Sequence, residues 1–247
     1  MKSEKIDGFE QPVSISSGKL TKQLYVSNTL GKPVIVMHEL PGMTTSFIEY
    51  CRELSIQGFR VYMPLLFKSP HTEMRFPEIA LFCVSREFRN LFSIGARARD
   101  RSIVQLLDKV IDHVSDQYPG QPIGVVGMCL TGGFSVAGIS KENISAAICC
   151  QPSYPFFFDV KSIGLSDQRR EEIAGRVKTM SAPCAKSYRY EGDKLSRPKH
   201  VKAISDLLGD HLISFPDLVG NDHSTVTGDQ PDEDVKEDIV MFLNSRL

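Results

Sequence analysis

The sequence has no excess of either charge: 29 Lys and Arg stand against 30 Asp and Glu, a formal net charge of −1. Nucleic acid and anionic membrane are therefore not expected partners, and the basic residues are spread out rather than gathered in a stripe. No apolar run approaches the roughly 18 residues of a membrane span. The start, Met1-Lys2-Ser3-Glu4-Lys5-Ile6-Asp7, has no apolar stretch of the signal-peptide kind. There is no C-x-x-C and no His/Cys cluster at zinc-ligand spacing, so no metal is expected. The six cysteines (Cys51, Cys83, Cys129, Cys149, Cys150, Cys184) are scattered, which in a 247-residue chain reads as reduced thiols. No repeat, low-complexity tract or linker interrupts residues 1–247, which predicts a single domain. These absences point to a soluble, cytoplasmic protein. The final Ser245-Arg246-Leu247 is close to the peroxisomal S-K-L address, which would apply only in a eukaryote; the plainer reading is the end of a C-terminal helix.

Short β-rich apolar runs alternate with longer helical patterns, the rhythm of βαβ units and a mostly parallel sheet. Leu20–Val26 alternates as an antiparallel strand would. Pro33–His38 is continuously apolar, as a strand buried on both faces should be. Leu40-Pro41-Gly42 turns the chain, and a helix near Thr45–Gln57 stops at Gly58. Phe59–Met63 reads as a strand, residues 65–95 as irregular and rich in Phe and Arg. Ala96–Gln117 reads as an amphipathic helix with Ile103, Leu106, Leu107, Val110, Ile111 and Val114 on one face. Strands follow at Ile123–Gly127, Ile144–Cys150, Ala185–Tyr190 and His211–Phe215. A helix is expected from about Leu130, an excursion over 151–182 (opening Gln151-Pro152, then Tyr154-Pro155-Phe156), and a last helix near Asp234–Leu243.

The stretch with chemical content is Gly127-Met128-Cys129-Leu130-Thr131-Gly132-Gly133, where a buried strand meets a turn and an expected helix. A sharp strand-to-helix turn of this kind lifts a nucleophile above the sheet's carboxyl edge, and its neighbours must be small. Thr131 stands where glycine is usual. A helix beginning here would aim N–H groups and positive dipole at Cys129 and favour its thiolate. The plain alternative is a small buried hydrophobe. Two features further along favour the nucleophile. Asp193 follows the strand Ala185–Tyr190 and His223 follows the strand His211–Phe215, which is the chain order nucleophile, acid, histidine at the edge where α/β sheets bind ligands. His200 and His211 compete, but the first is expected on a helix, the second before its strand, and both read as surface histidines. Asp217 and Asp222 precede His223 too closely to reach its Nδ1.

With these residues in order, the chain resembles the dienelactone hydrolase family of α/β-hydrolases. The match runs from His38-Glu39-Leu40-Pro41-Gly42 through the Cys129 turn to Asp193 and His223-Ser224. It is especially similar to a branch carrying Cys83-Val84-Ser85-Arg86-Glu87-Phe88. The resemblance implies a single doubly wound, mostly parallel sheet with helices on both faces, and hydrolysis of a small-molecule ester or lactone without a cofactor. It also implies that Glu39 contacts Cys129 and takes part in thiolate formation, and that the Leu40 and Leu130 amides form the oxyanion hole. His38, directly before Glu39, would face away. The family's carboxylate-binding arginines do not match residue by residue. Arg86 is the first choice, being fork-shaped for bidentate binding, ahead of Arg89, Arg97, Arg99 and Arg197, in a segment where Phe76, Phe82, Phe88 and Phe92 read as a pocket wall. The alternatives are a thioesterase or acyltransferase on the same triad and a non-catalytic ligand-binding relative. Oligomeric state is not legible.

Overall fold

The computed structural model describes residues 4–92, 100–153 and 163–247, without the side chain of Phe76. Eight strands form one sheet: β1 Val13–Ser17, β2 Leu20–Val26, β3 Lys32–Met37, β4 Phe59–Pro64, β5 Ile123–Met128, β6 Ile144–Cys150, β7 Ala185–Tyr188 and β8 Leu212–Ser214. Their order is β1-β2-β4-β3-β5-β6-β7-β8. The pairs β1/β2 and β2/β4 are antiparallel and every later pair is parallel. The β1 edge strand escapes sequence reading because its serines dilute the apolar alternation.

The helices are α1 Thr45–Ile56, α2 Phe76–Cys83, α3 Arg86–Phe92, α4 Ser102–Gln117, α5 Asp167–Val177, α6 Pro198–Leu208 and α7 Glu233–Arg246. Alternate residues of the central strands feed two cores. Val34, Val36, Val126 and Met128 pack with α1 and α7, while Ile35, Met37, Val125 and Ala147 pack with α3, α4, α5 and α6. A strand buried on both faces has no polar face to show, hence the continuous apolar runs. All six residues expected on the apolar face of α4 are buried.

Four expectations change. Residues 76–92 are not irregular but hold α2 and α3, each too short to display a full amphipathic period. Ser85 Oγ caps α3 by accepting from Phe88 N–H at 3.1 Å. Phe82, Phe88 and Phe92 stack in sequence with Phe67 and Phe134 inside the core, so they are not an open pocket wall. The expected helix from Leu130 is instead two 3₁₀ stretches, Cys129–Thr131 and Ser135–Ser140. Their i→i+3 bonds, such as Gly132 N–H to Cys129 O at 3.0 Å, suit a run weakened by Gly132, Gly133 and Gly138. His200 is buried rather than on the surface, its Nδ1 3.2 Å from Pro152 O. Residues Ala96–Arg99 of the expected α4 helix, with Arg97 and Arg99, and Tyr154-Pro155-Phe156 of the expected excursion lie outside the described residues; α5 begins within that excursion.

Ser245 and Arg246 close α7, and Leu247 packs beside Gly124. Among the described residues no helix is long and apolar enough to cross a membrane.

Candidate active site

Each candidate side chain leaves the sheet at the carboxyl end of a parallel strand: Glu39 after β3, Cys129 after β5, Asp193 after β7 and His223 after β8. The Cys129 turn is strained, with φ +49° on a residue that has a Cβ. A Cβ on Gly127 would meet Thr131 O at 2.3 Å, and one on Gly132 would meet Cys150 O and Pro152 Cα at 2.9 Å, so both must be glycine. Thr131 has its own work at the usual glycine position. Its Oγ1 accepts from Met128 N–H at 2.9 Å and lies 2.9 Å from both Met37 O and Met128 O, which ties the turn to the end of β3.

His223 Nδ1 lies 2.7 Å from Asp193 Oδ2, and Asp193 Oδ1 accepts from the N–H groups of Leu195 and Ser196 at 2.8 and 3.1 Å. Burial raises the Asp193 pKa, but the hydrogen bond and charge of His223 and the two amides outweigh it, and the net shift is downward. His223 shifts the other way. Burial would lower its pKa, but the Cys129 charge, the Asp193 hydrogen bond, Cys129 contact and the Glu39 charge together raise it to about 11. Two short 3₁₀ stretches carry no macrodipole of consequence, so the charge at Cys129 answers to His223 and not to a helix. His223 Nε2 is buried without a hydrogen-bond partner, and its neighbours across the gap are Cys129 Sγ and a Glu39 carboxylate oxygen. These three atoms lie within 4.8 Å of one another.

Glu39 is 5% exposed, and the donors printed on it are neutral: Thr227 Oγ1 at 2.6 Å and Ser224 Oγ at 3.2 Å on Oε1, and Gln151 Nε2 at 3.3 Å on Oε2. Gln151 Oε1 in turn accepts from Thr225 N–H and Oγ1–H at 3.2 and 2.6 Å, which joins Glu39 to the His223 loop. Gln151 is the neighbouring strained residue, with φ +34°. Ser153 Oγ sits 3.1 Å from Cys129 Sγ, and Ser153 N–H donates to Cys129 O at 2.9 Å. Sequence reasoning missed Gln151 and Ser153. The signal was there, since both follow the carboxyl end of β6, the positional rule already applied to Asp193 and His223.

His38 faces away from the cluster, wedged against Phe47 and Phe67. Its Nε2 accepts from Leu66 N–H at 2.9 Å, so the proton sits on Nδ1 and donates to Glu39 O at 3.1 Å. Burial lowers its pKa to about 4, which keeps it neutral. Glu39 O also accepts from Gly42 N–H at 2.9 Å. A peptide is planar, so anchoring this carbonyl fixes the opposite direction for Leu40 N–H. Leu130, 5% exposed, follows Cys129 directly.

Asp217 is engaged by Arg189 and is not near His223 Nδ1 in the hydrogen-bond pattern. His211 Nδ1 is 3.1 Å from Ala182 O, before β8. Arg86 is exposed at the start of α3 and Arg89 and Arg197 are also exposed, so none of them joins the buried cluster. A polar cleft of about 410 Å³ opens beside Glu39, lined by Thr44, Thr45, His71, Ser224 and Thr227. A hollow of about 460 Å³ between α1 and α7 lies on the other core and holds no nucleophile.

The dienelactone hydrolase family profile matches residues 23–178. No curated protein matches the chain by sequence. Among solved structures, an esterase of Pyrococcus furiosus is 13% identical with a TM-score of 0.64, covering 96% of this chain and 92% of its own. A Klebsiella pneumoniae protein assigned to the dienelactone hydrolases is 17% identical with a TM-score of 0.61, covering 94% and 97%. The thioesterase domain of the curacin biosynthetic pathway is 13% identical with a TM-score of 0.56, covering 97% and 100%. At such identities the likeness establishes the α/β-hydrolase fold.

Proposed function

Because this chain belongs to the dienelactone hydrolase family and is on that ground a carboxylic ester hydrolase, we propose that it cleaves a small-molecule ester or lactone through Cys129, His223 and Asp193. The observation that carries this reading is the buried chain of contacts from Asp193 through His223 Nδ1 to an unpartnered Nε2 facing the Cys129 thiol.

In this mechanism His223 Nε2 holds the proton given up by Cys129, and the thiolate attacks the substrate carbonyl. The amides of Leu40 and Leu130 receive the developing oxyanion. As the tetrahedral species collapses, the alcohol leaves with the His223 proton and a thioester remains on Cys129. Water then attacks the thioester, giving a proton to Nε2. Collapse releases the carboxylic acid and returns the thiol. Asp193 keeps the imidazole in the orientation and tautomer that both halves need. The sulfur has to turn from Ser153 towards His223 before attack, and Glu39, beside both, assists as the thiolate forms. The direct test is intact-protein mass spectrometry after mixing with a slowly hydrolysed ester. An acyl adduct on Cys129 is expected, and hydrolysis without any adduct at that residue would sink the thioester step.

Glu39→Gln should impair turnover more than folding, since the amide oxygen still accepts from Thr227 and Ser224 while the negative charge is gone. The pH profile of iodoacetamide labelling at Cys129, measured with and without a substrate analogue, is expected to differ from the parent's. Superimposable profiles would take Glu39 out of the site.

Arg86 is proposed as the group that meets a substrate carboxylate. With its head in solvent, the lower end of the range for a charged hydrogen bond applies, about tenfold in affinity. Arg86→Ala should lower kcat/KM for a carboxylated lactone by that factor and spare its methyl ester. An unchanged ratio between the two substrates removes Arg86 from binding.

A further inference from the structure

We propose that Glu39, Cys129 and His223 form a reversible inhibitory site for zinc, or another borderline-soft divalent cation, occupied in competition with the ester. The inference uses the same three side chains as the proposed reaction but rests on their donor geometry and not on turnover.

Three donors of the kinds zinc takes (a thiolate sulfur, an imidazole nitrogen and a carboxylate oxygen) lie within 4.8 Å of one another. Tetrahedral zinc, with bonds near 2.0 Å to N and O and 2.3 Å to S, spaces such donors roughly 3.3–3.8 Å apart. The cluster therefore has to close by only about 1 Å at its widest. The movable member is Cys129, whose sulfur now leans on Ser153 Oγ at 3.1 Å and can rotate away from it.

What surrounds the donors resembles the outer shell of a zinc site. His223 Nδ1 is held by Asp193 at 2.7 Å, the carboxylate–histidine arrangement that aims Nε2 at a metal and raises its basicity. That Nε2 is buried and unpartnered. Glu39 is oriented by Thr227, Ser224 and Gln151, all neutral donors, so none of these contacts neutralises its charge. The charges also balance: thiolate and carboxylate with a neutral imidazole offset one dication. Binding releases the one proton that the Cys129–His223 pair holds, and a water or hydroxide fills the fourth position. Thiolate and imidazole select zinc or cadmium over magnesium or calcium. The loaded site has no free nucleophile and no free base, which makes the metal an inhibitor and not a cofactor.

The test uses the reduced, metal-stripped full chain, with zinc binding read by competition against a chromophoric chelator and by calorimetry. One equivalent should bind, protect Cys129 from iodoacetamide and suppress hydrolysis until a chelator restores it; magnesium should do none of these. Cys129→Ala and His223→Ala should abolish the protected equivalent. Cys129→Ser, which keeps the side-chain volume, should weaken it strongly, with thermal melting as the check on folding. Asp193→Asn keeps all three donors and should weaken zinc by roughly ten- to a hundredfold, the usual effect of an outer-shell partner. Zinc bound equally by the parent and Cys129→Ala would overturn the inference, as would a parent that hydrolyses esters yet binds no zinc. Cys129-dependent zinc binding without any hydrolysis would leave the inference standing and remove the functional reading instead.

Discussion

Cys129→Ala is expected to lower ester hydrolysis on the order of 10³-fold or more, the scale of loss when a nucleophile acting with its base is removed. The variant should stay folded, for reasons the turn makes explicit. Alanine keeps the Cβ, so the strain at φ +49° is no greater than in the parent. The turn is fixed by Thr131 Oγ1 on Met128 and Met37 and by glycines at 127 and 132, none of which needs the sulfur. The lost partner is Ser153 Oγ, a single neutral hydrogen bond of about 1 kcal/mol. Circular dichroism and thermal melting should therefore change little while turnover collapses. Hydrolysis at the parent rate in the purified variant would show that Cys129 is not the nucleophile. Cys129→Ser should retain weak activity, since a hydroxyl needs more help from its base than a thiol.

His223→Ala should cost about as much as losing Cys129, and the double variant should be little worse than either single one, because the two act as a unit. Losses that multiply would show that they do not share a mechanism. A second measurement separates catalysis from structure. The Cys129 charge is the largest of the contributions that raise His223 towards about 11, so in Cys129→Ala the imidazole should titrate at lower pH by NMR. A ring that titrates unchanged would mean that Cys129 and His223 do not sense each other. His211→Ala is the suitable control, as its Nδ1 faces Ala182 O away from the site. His200→Ala is not, because His200 is buried against Pro152 and its loss would disturb the chain beside Ser153.

Local sequence determined the strands, because continuous apolar runs such as PVIVM can only satisfy burial on both faces of a parallel sheet. It also determined the turn around Cys129, where Gly127 and Gly132 are forced by contacts within a few residues or at the next strand. The order of Cys129, Asp193 and His223 at successive strand ends was legible for the same reason: the strands could be counted, and their carboxyl ends lie on one edge. Tertiary structure alone decided the rest. Glu39 meets Gln151, Ser224 and Thr227 across separations of 112, 185 and 188 positions, contacts that no local pattern encodes. Composition could not say that the Phe residues of α2 and α3 turn into the core, since six- to eight-residue helices show too little period to fix a face. Nor could it say that the chain after Cys129 coils as 3₁₀. There, glycine spacing and the approach of Cys150 and Pro152 compete with helix propensity, and only the packed sheet settles which prevails.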